Sequence, residues 1–535
     1  MNATPQVASR MAKSRLLGIQ LLLVALVGVV LVRCAWHCDD AYLTFRTAWN
    51  WVHGYGLRWN VVERVQSYTH PLWMLCSAAC LALSGEVYYS TLGLAVVMTL
   101  VAVTLLARQC PVPEYGIVAI VLFVSSGAAV DYCVSGLETP LVVLLLVVFM
   151  GLLSRPAGDA QVLLLTLVAS LIALTRLDAL VLVLPALGQL AYDRRSKRTA
   201  ALLVLGFLPL AMWHAVSLVY YGFLWPNTAY AKLNLHVSLA HLAGRGCVYL
   251  VDSLVHDPLT LVTIAAGHKT ARDSGSTLDR RLALGITLYL LYILRIGGDF
   301  MSGRFLVAPL VVAIGLLRVH PGWARTRRTC AVAGGILVVA LLLPRSRLRS
   351  GSDYGSGAIS DFVHAGGIVD ERGYYYGTTG LLNVWSHRAA LARSGAPVPP
   401  QRWAVAGLAD ASKGIAVELT WCVGFYSYFV GPGTYVLDLY SLGDPLLARL
   451  PFAPDGEFRF GHYDRPVPAG YPESVLGPVS QIEDPGIAEY DNVLRLITRG
   501  PLFTTARWNA IVGMQLGRYD HLLPARYPEA ARPPR

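Results

Sequence analysis

Long apolar runs separated by short polar breaks fill the first two thirds of this chain, and the pattern stops at residue 344. The runs cover 17–34, 87–107, 113–130, 136–153, 160–174, 178–192, 199–219, 247–266, 280–297, 303–318 and 328–344. Runs of this kind read as membrane-crossing helices, and those shorter than ~20 residues as tilted or broken ones. Residues 71–84 (PLWMLCSAACLALS) are apolar but short, and read as a helix lying in or dipping into the outer interface. Beyond residue 344 the chain turns to Gly, Pro, Tyr and Arg, with short strand-like runs such as WAVAG and TYVLDLY. The pattern predicts a polytopic α-helical membrane protein of about eleven crossings plus interfacial helices. It divides the chain into a transmembrane domain, 1–344, and a soluble domain, 345–535, of α/β or mainly β type.

Charge orients the runs. Loops such as Arg194–Arg198 and Lys269–Arg281 carry the excess of Arg and Lys, and placing them inside satisfies the positive-inside rule. The N-terminus then lies in the cytoplasm and residues from Arg345 onward lie outside. The first run has no small-residue cleavage site after it, so it reads as a retained anchor. Hydrophobic residues make up 55% of the chain and charged ones 14%, with mean hydropathy +0.50, which excludes an ordinary soluble composition. The net charge of +11 sits largely in short loops and does not point to nucleic acid. Nine scattered cysteines form no CxxC pair and no disulfide framework. There is no P-loop or GxGxxG to cradle a nucleotide, and no Cys/His cluster that suggests a metal.

With that orientation, five polar turns share the outer face. The first run ends in CAWHCDDAYLTFR, which sets Asp39 and Asp40 at the membrane surface. Adjacent carboxylates there are either solvated helix-ending acids or a general base with a neighbour that positions it. SGLETP places Glu138 at a helix start, as a cap or a substrate contact. In TRLD, Arg176 and Asp178 form a local ion pair or offer an Arg to a phosphate. Lys232, after WPNTAYA, is an interface anchor or a phosphate contact. GGDFMSGRF carries Asp299 and Arg304, and a guanidinium beside helix N-terminal amides suits a phosphate. The segment Gly56–Trp73 reads as a membrane-hugging loop or a wall over a site, with Tyr68 and His70 facing a ligand. In the tail, GIVDERGYYYG, DLYSLGDPLLARLP and GHYDRPVPAGYPES, the last with His462 and Arg465, read as ordinary surface or as sugar-recognition loops.

Taken in order, DDAYLTFR, GYGLRWNVVERVQSYTHPLW, SGLET, LTRLD, YYGFLWPNTAYAKL, GGDFMSGRFLVAP and the two tail motifs DLYSLGDPLLARLP and GHYDRPVPAGY resemble one family over nearly the whole chain. That family is the GT-C superfamily of polyprenyl-phosphate-sugar glycosyltransferases. The resemblance is closest to the branch that adds terminal β-(1→2) arabinofuranosyl residues to the actinobacterial cell wall. It implies a GT-C fold, an outward-facing active site in the plasma membrane, and inversion at the anomeric carbon. It also implies a decaprenyl- or undecaprenyl-phosphate-arabinose donor, a glycan or surface-protein acceptor, and no separate cofactor. The family's first-loop acidic pair falls on Asp39 and Asp40, one of them the base. Arg304, Lys232 and Arg176 are then the cations expected against the donor phosphate, and that scheme requires no metal. The chain is short for the cell-wall enzyme, mainly in the tail, which leaves the acceptor open. A transferase using another lipid-linked sugar, such as mannose or aminoarabinose, is the nearest alternative. A lipid-linked-sugar flippase would instead call for mid-membrane charges and internal repeats, and the sequence has neither.

Overall fold

The computed structural model describes residues 5–155, 158–233, 237–319, 326–452 and 461–524. Among these residues the chain is helical apart from one two-stranded sheet. It divides into two compact units, and neither is a continuous stretch of sequence. One comprises Met1–Cys38, Thr91–Pro209 and Leu239–Ser386, and the other Asp39–Ser90, Leu210–Ser238 and His387–Arg535. Each unit draws on segments from both sides of residue 344.

The first unit is built around three helices that are apolar almost all round, Pro113–Ser125, Thr139–Leu153 and Val307–Leu316, and almost wholly buried. A helix without a polar face has to be enclosed. Small residues let its neighbours approach. A Cβ on Gly285 would lie 2.0 Å from the Leu182 carbonyl oxygen, and one on Gly267 would lie 2.4 Å from that of Ala313. Helix Thr277–Ile296 thus packs on Leu180–Arg194, and Pro258–Asp273 on Val307–Leu316, at distances only glycine permits.

Several expected segments are interrupted. The run 113–130 breaks at Ser126, whose extended backbone (ψ 119°) ends one helix and whose Oγ caps the next by accepting from Ala129 N. The run 199–219 bends by 49° between Lys197–Gly206 and Leu208–Tyr220. The run 247–266 is not one straight helix. Helix Leu239–His256 ends before Asp257, Pro258 opens the next helix, and the two meet at 108°. Proline at a first helical position has no amide to donate, so the break falls where the sequence places it. Among the described residues, Ser14–Cys34 and Tyr88–Arg108 are each long and apolar enough to cross a membrane, and the number is four if each bent pair counts as one span. Five further apolar helices, Pro71–Ser84 among them, are shorter.

In the second unit the tail packs with residues 39–90 and 210–238. Its strands Val417–Thr420 and Tyr435–Asp438 pair in parallel, with Val417 opposite Tyr435. One core gathers Phe223, Leu437, Leu446, Leu447, Leu450, Val475, Leu494 and Ile497. Another gathers Leu43, Trp59, Val423, Val436 and Ala448. Among its described residues the tail holds far more helix than strand. Helices Arg402–Lys413, Pro485–Arg499 and Thr505–Gln515 dominate it, and WAVAG, read as strand-like, lies inside the first of these. That helix is amphipathic, with Ala404 and Gly407 buried, so a period of 3.6 rather than 2 governs the segment. Arg46 is 2% exposed and ties this unit together. Its guanidinium donates to the carbonyls of Trp59 (2.7 Å), Thr434 (3.0 Å) and Ser427 and to Asn60 Oδ1.

Candidate functional sites

The two aspartates differ sharply in their surroundings. Both open helix Asp39–Val52. The Asp39 carboxylate is used structurally. It accepts from Gly424 N (2.9 Å) and Phe425 N (2.7 Å), the amides that start helix Phe425–Val430, and Cys422 Sγ lies 3.2 Å from Oδ1. A Cβ on Gly424 would fall 1.8 Å from the Asp39 carbonyl oxygen, so this approach requires glycine. Burial pushes the Asp39 carboxyl up to about 6 against the opposing effect of the two amides, and the charge of Asp40 adds to the rise. Asp40, like Asp39, is half-buried. One helical turn further on the same face stands Thr44, whose Oγ1 lies 2.7 Å from His70 Nε2. His70, buried just ahead of helix Pro71–Ser84, is therefore tied to the face that bears Asp40. Thr44 was missed in the sequence, although its i+4 spacing from Asp40 is visible there.

The other predicted residues of this unit divide between support and surface. Lys232 is exposed in the last turn of helix Asn227–Leu233. Arg465 is buried and donates to the carbonyls of Ala231 (2.8 Å) and Leu450 (3.0 Å), with burial lowering its guanidinium to about 10. It fastens two chain segments in place of presenting its charge to a ligand. His462 packs edge-on against Tyr440, ring centroids 4.6 Å apart. Tyr68 shares a hydroxyl hydrogen bond of 2.9 Å with Tyr221.

In the first unit the structure joins five predicted residues, widely separated in sequence, into one network. Arg176 clasps Asp178 through Nε (3.1 Å) and Nη2 (2.6 Å), and its Nη1 lies 3.7 Å from Glu138. Arg304 meets the same Glu138 oxygen at 3.3 Å and Asp299 at 3.8 Å. Tyr289 donates to Asp178 (2.7 Å), and the Arg176 guanidinium lies over the Phe305 ring at 4.8 Å. The ion-pair reading of TRLD is the one realised. Glu138 does not cap helix Thr139–Leu153 and instead bridges two arginines. Arg304 stands in a short 3-10 turn ahead of helix Val307–Leu316, with carboxylates already against its guanidinium. Three acids against two arginines leave this cluster with an acidic excess.

The sequence reading also missed a second polar group in this unit. Asp131 takes a two-pronged contact from Arg347 (2.9 and 2.6 Å) and a third from Arg372 (3.3 Å), with Asp370 beside Arg347 at 3.9 Å. Close to Arg345 and Asp370 lies a cavity lined by His256, His364, Asp257 and Ser302, and Asp252, His256 and His364 could together hold a metal ion. The available signal was the set Asp252, His256 and Asp257 inside a run otherwise read as a span, since ionisable groups in apolar segments call for partners.

No model of a known protein family matches the chain. The terminal beta-(1->2)-arabinofuranosyltransferase of Mycobacterium tuberculosis (strain H37Rv) is 28% identical to it over 408 residues, 64% of this chain. The match spans 63% of that relative's own length. Among known structures, ArnT from Cupriavidus metallidurans bound to undecaprenyl phosphate aligns over 78% of this chain and 86% of its own, with 13% identity and a TM-score of 0.45. The apo form of the same protein aligns over 80% of this chain with 12% identity and a TM-score of 0.44.

Proposed function

We propose that this protein is an inverting glycosyltransferase that moves a pentose, D-arabinofuranose, from a polyprenyl-phosphate donor to a glycan or surface-protein acceptor. The observation that carries the reading is the sequence similarity to the arabinofuranosyltransferase. The apolar helices agree with it, because a donor with an isoprenoid tail needs an enzyme held in the bilayer. In this reading the protein is a multi-pass plasma-membrane enzyme with a cytoplasmic N-terminus and its tail outside.

Asp40 is the general base and Asp39 the residue that positions it. Both residues are half-buried, but Asp39 accepts two backbone hydrogen bonds, and Asp40 lies on the helix face that bears Thr44, whose hydroxyl contacts His70. In the reaction the acceptor hydroxyl gives its proton to Asp40. Its oxygen forms the new bond to the anomeric carbon while the bond from that carbon to the phosphate oxygen breaks. The electron pair leaves with polyprenyl phosphate, and attack from the opposite face inverts the centre. A base held at the hydroxyl contributes about 10²- to 10⁴-fold in rate. Of the three cations expected to meet the phosphate, Lys232 is exposed, while Arg176 and Arg304 are engaged by carboxylates. Lys232 is therefore assigned to the departing phosphate, and the two arginines to holding their acidic network.

The test is transfer by the purified chain in nanodiscs, with radiolabelled decaprenyl-phosphoryl-arabinose and an oligo-arabinofuranoside acceptor. Transfer that disappears in Asp40→Asn supports the reading. Full turnover by Asp40→Asn sinks the assignment of the base, and wild type that neither transfers nor hydrolyses the donor sinks the choice of sugar.

A further inference from the structure

The bend at Asp257 assembles a site that glycosyl transfer as described above does not use. Asp252 and His256 lie four residues apart in the last turn of helix Leu239–His256, and so share a face. A loop more than a hundred residues later brings His364 to them. His364 Nδ1 is 2.7 Å from Asp252 Oδ1, and His256 Nδ1 is 3.0 Å from the same oxygen. The two imidazoles stack, with centroids 3.8 Å apart and planes 14° apart. One nitrogen or oxygen from each of the three residues lies within 4.8 Å of the others. Zinc bonds such donors at about 2.0–2.2 Å, which sets neighbouring ligand atoms roughly 3–3.5 Å apart around the ion. The spacings to Asp252 Oδ1, 2.7 and 3.0 Å, approach that, and one imidazole must turn out of the stack for both nitrogens to point at a shared ion.

A separate observation indicates that positive charge is wanted there. Asp257 lines the same cavity and is 7% exposed. Its Oδ2 accepts from Ala128 N (2.9 Å) and Thr260 Oγ1 (2.6 Å), but its Oδ1 has no hydrogen-bond partner among the described residues. A buried carboxylate oxygen left this way is costly, and a cation in the cavity would offset the cost. Ser302 donates to Asp252 Oδ2 at 2.5 Å and so fixes the orientation of that carboxylate, as an outer partner of a metal ligand does.

Arg345 decides whether the site is open. Its Nη1 lies 2.9 Å from His364 Nε2. A guanidinium only donates, so Nε2 must accept, and the ring proton then sits on Nδ1 facing Asp252. A metal on Nδ1 requires that proton on Nε2 instead, which expels Arg345. The Asp370 carboxylate, 3.6 Å from Arg345, is there to receive it.

We propose that Asp252, His256 and His364 form a binding site for a divalent transition-metal cation of the zinc type, with Arg345 as the competitor that closes the site when it is empty. The site does not depend on the sugar-transfer reading and stands or falls apart from it. The experiment uses the full chain in nanodiscs, stripped of metal and titrated with Zn²⁺, with bound metal counted by mass spectrometry and Co²⁺ absorption reporting the ligand geometry. One Zn²⁺ per chain is expected, with at least about tenfold weaker binding in His256→Ala and in His364→Ala. Arg345→Ala, which leaves the three ligands in place, is expected to bind Zn²⁺ more tightly than wild type. Wild type that takes up no zinc overturns the proposal, and so does a His256→Ala/His364→Ala double variant that takes up as much. Arg345→Ala without a gain in affinity overturns the role of Arg345 and the use of Nδ1.

Discussion

Replacing the two aspartates one at a time should separate structure from chemistry. Asp39→Ala removes the acceptor of two amides, Gly424 N and Phe425 N, at 2.9 and 2.7 Å. Both residues are buried, and Phe425 is fully enclosed. Each buried donor left without a partner costs about 1–3 kcal/mol, so the pair together costs roughly 2–4 kcal/mol after partial relaxation. The loss is local, because the two amides start helix Phe425–Val430, which packs against Tyr42 with ring centroids 4.3 Å apart. Hydrogen exchange over residues 420–430, read by mass spectrometry in nanodiscs, is the matching assay. A loss of about 2 kcal/mol raises the open population about 30-fold, so exchange there should quicken by at least that factor. Asp39→Asn keeps one acceptor oxygen and should fall between Ala and wild type. Asp40→Asn should leave exchange at 420–430 unchanged, shift stability by less than ~0.5 kcal/mol and lower turnover by about 10²- to 10⁴-fold. If Asp39→Ala leaves that exchange unaltered, or if Asp40→Asn quickens it while turnover persists, the division of roles is wrong.

Three further outcomes follow from buried groups and close packing. Burial and the nearby charge of Glu63 push the Asp444 carboxyl up to about 8, and it accepts from Leu447 N and Tyr471 Oη. A raised carboxyl favours the folded state when protonated, so its contribution is full below pH ~4 and is lost as pH rises through about 8. Thermal unfolding measured from pH 4 to 9 should show this decline in wild type and a flatter profile in Asp444→Asn. Glu138→Gln removes the charge shared by Arg176 and Arg304 but leaves Asp178 and Asp299 against them, and should lower stability by about 1–3 kcal/mol, read by thermal unfolding in detergent. Gly285→Ala forces a methyl to within 2.0 Å of the Leu182 carbonyl and should cost about 1–3 kcal/mol, whereas Ala at exposed Gly93 would have no packing neighbour to displace.

The chain by itself determined the helical character of the apolar runs among the described residues before 344, because long apolar runs can satisfy their backbone only as helices in an apolar setting. It also determined where most helices start and stop, through residues such as Pro71, Pro113 and Pro258. The local pairs Arg176–Asp178 and Asp39–Asp40 were legible for the same reason, since each lies within one turn. Tertiary structure decided the remainder. WAVAG became helix because its buried face has a helical period. The tail joined residues 39–90 because Asp39 finds donors, and Arg46 acceptors, more than 380 positions away. Glu138 bridges two arginines, and His364 joins Asp252 and His256, only after the chain has folded. Periodicity and caps act over a few residues and can be read in order, whereas the partner of a buried charge is set by whichever distant segment reaches it.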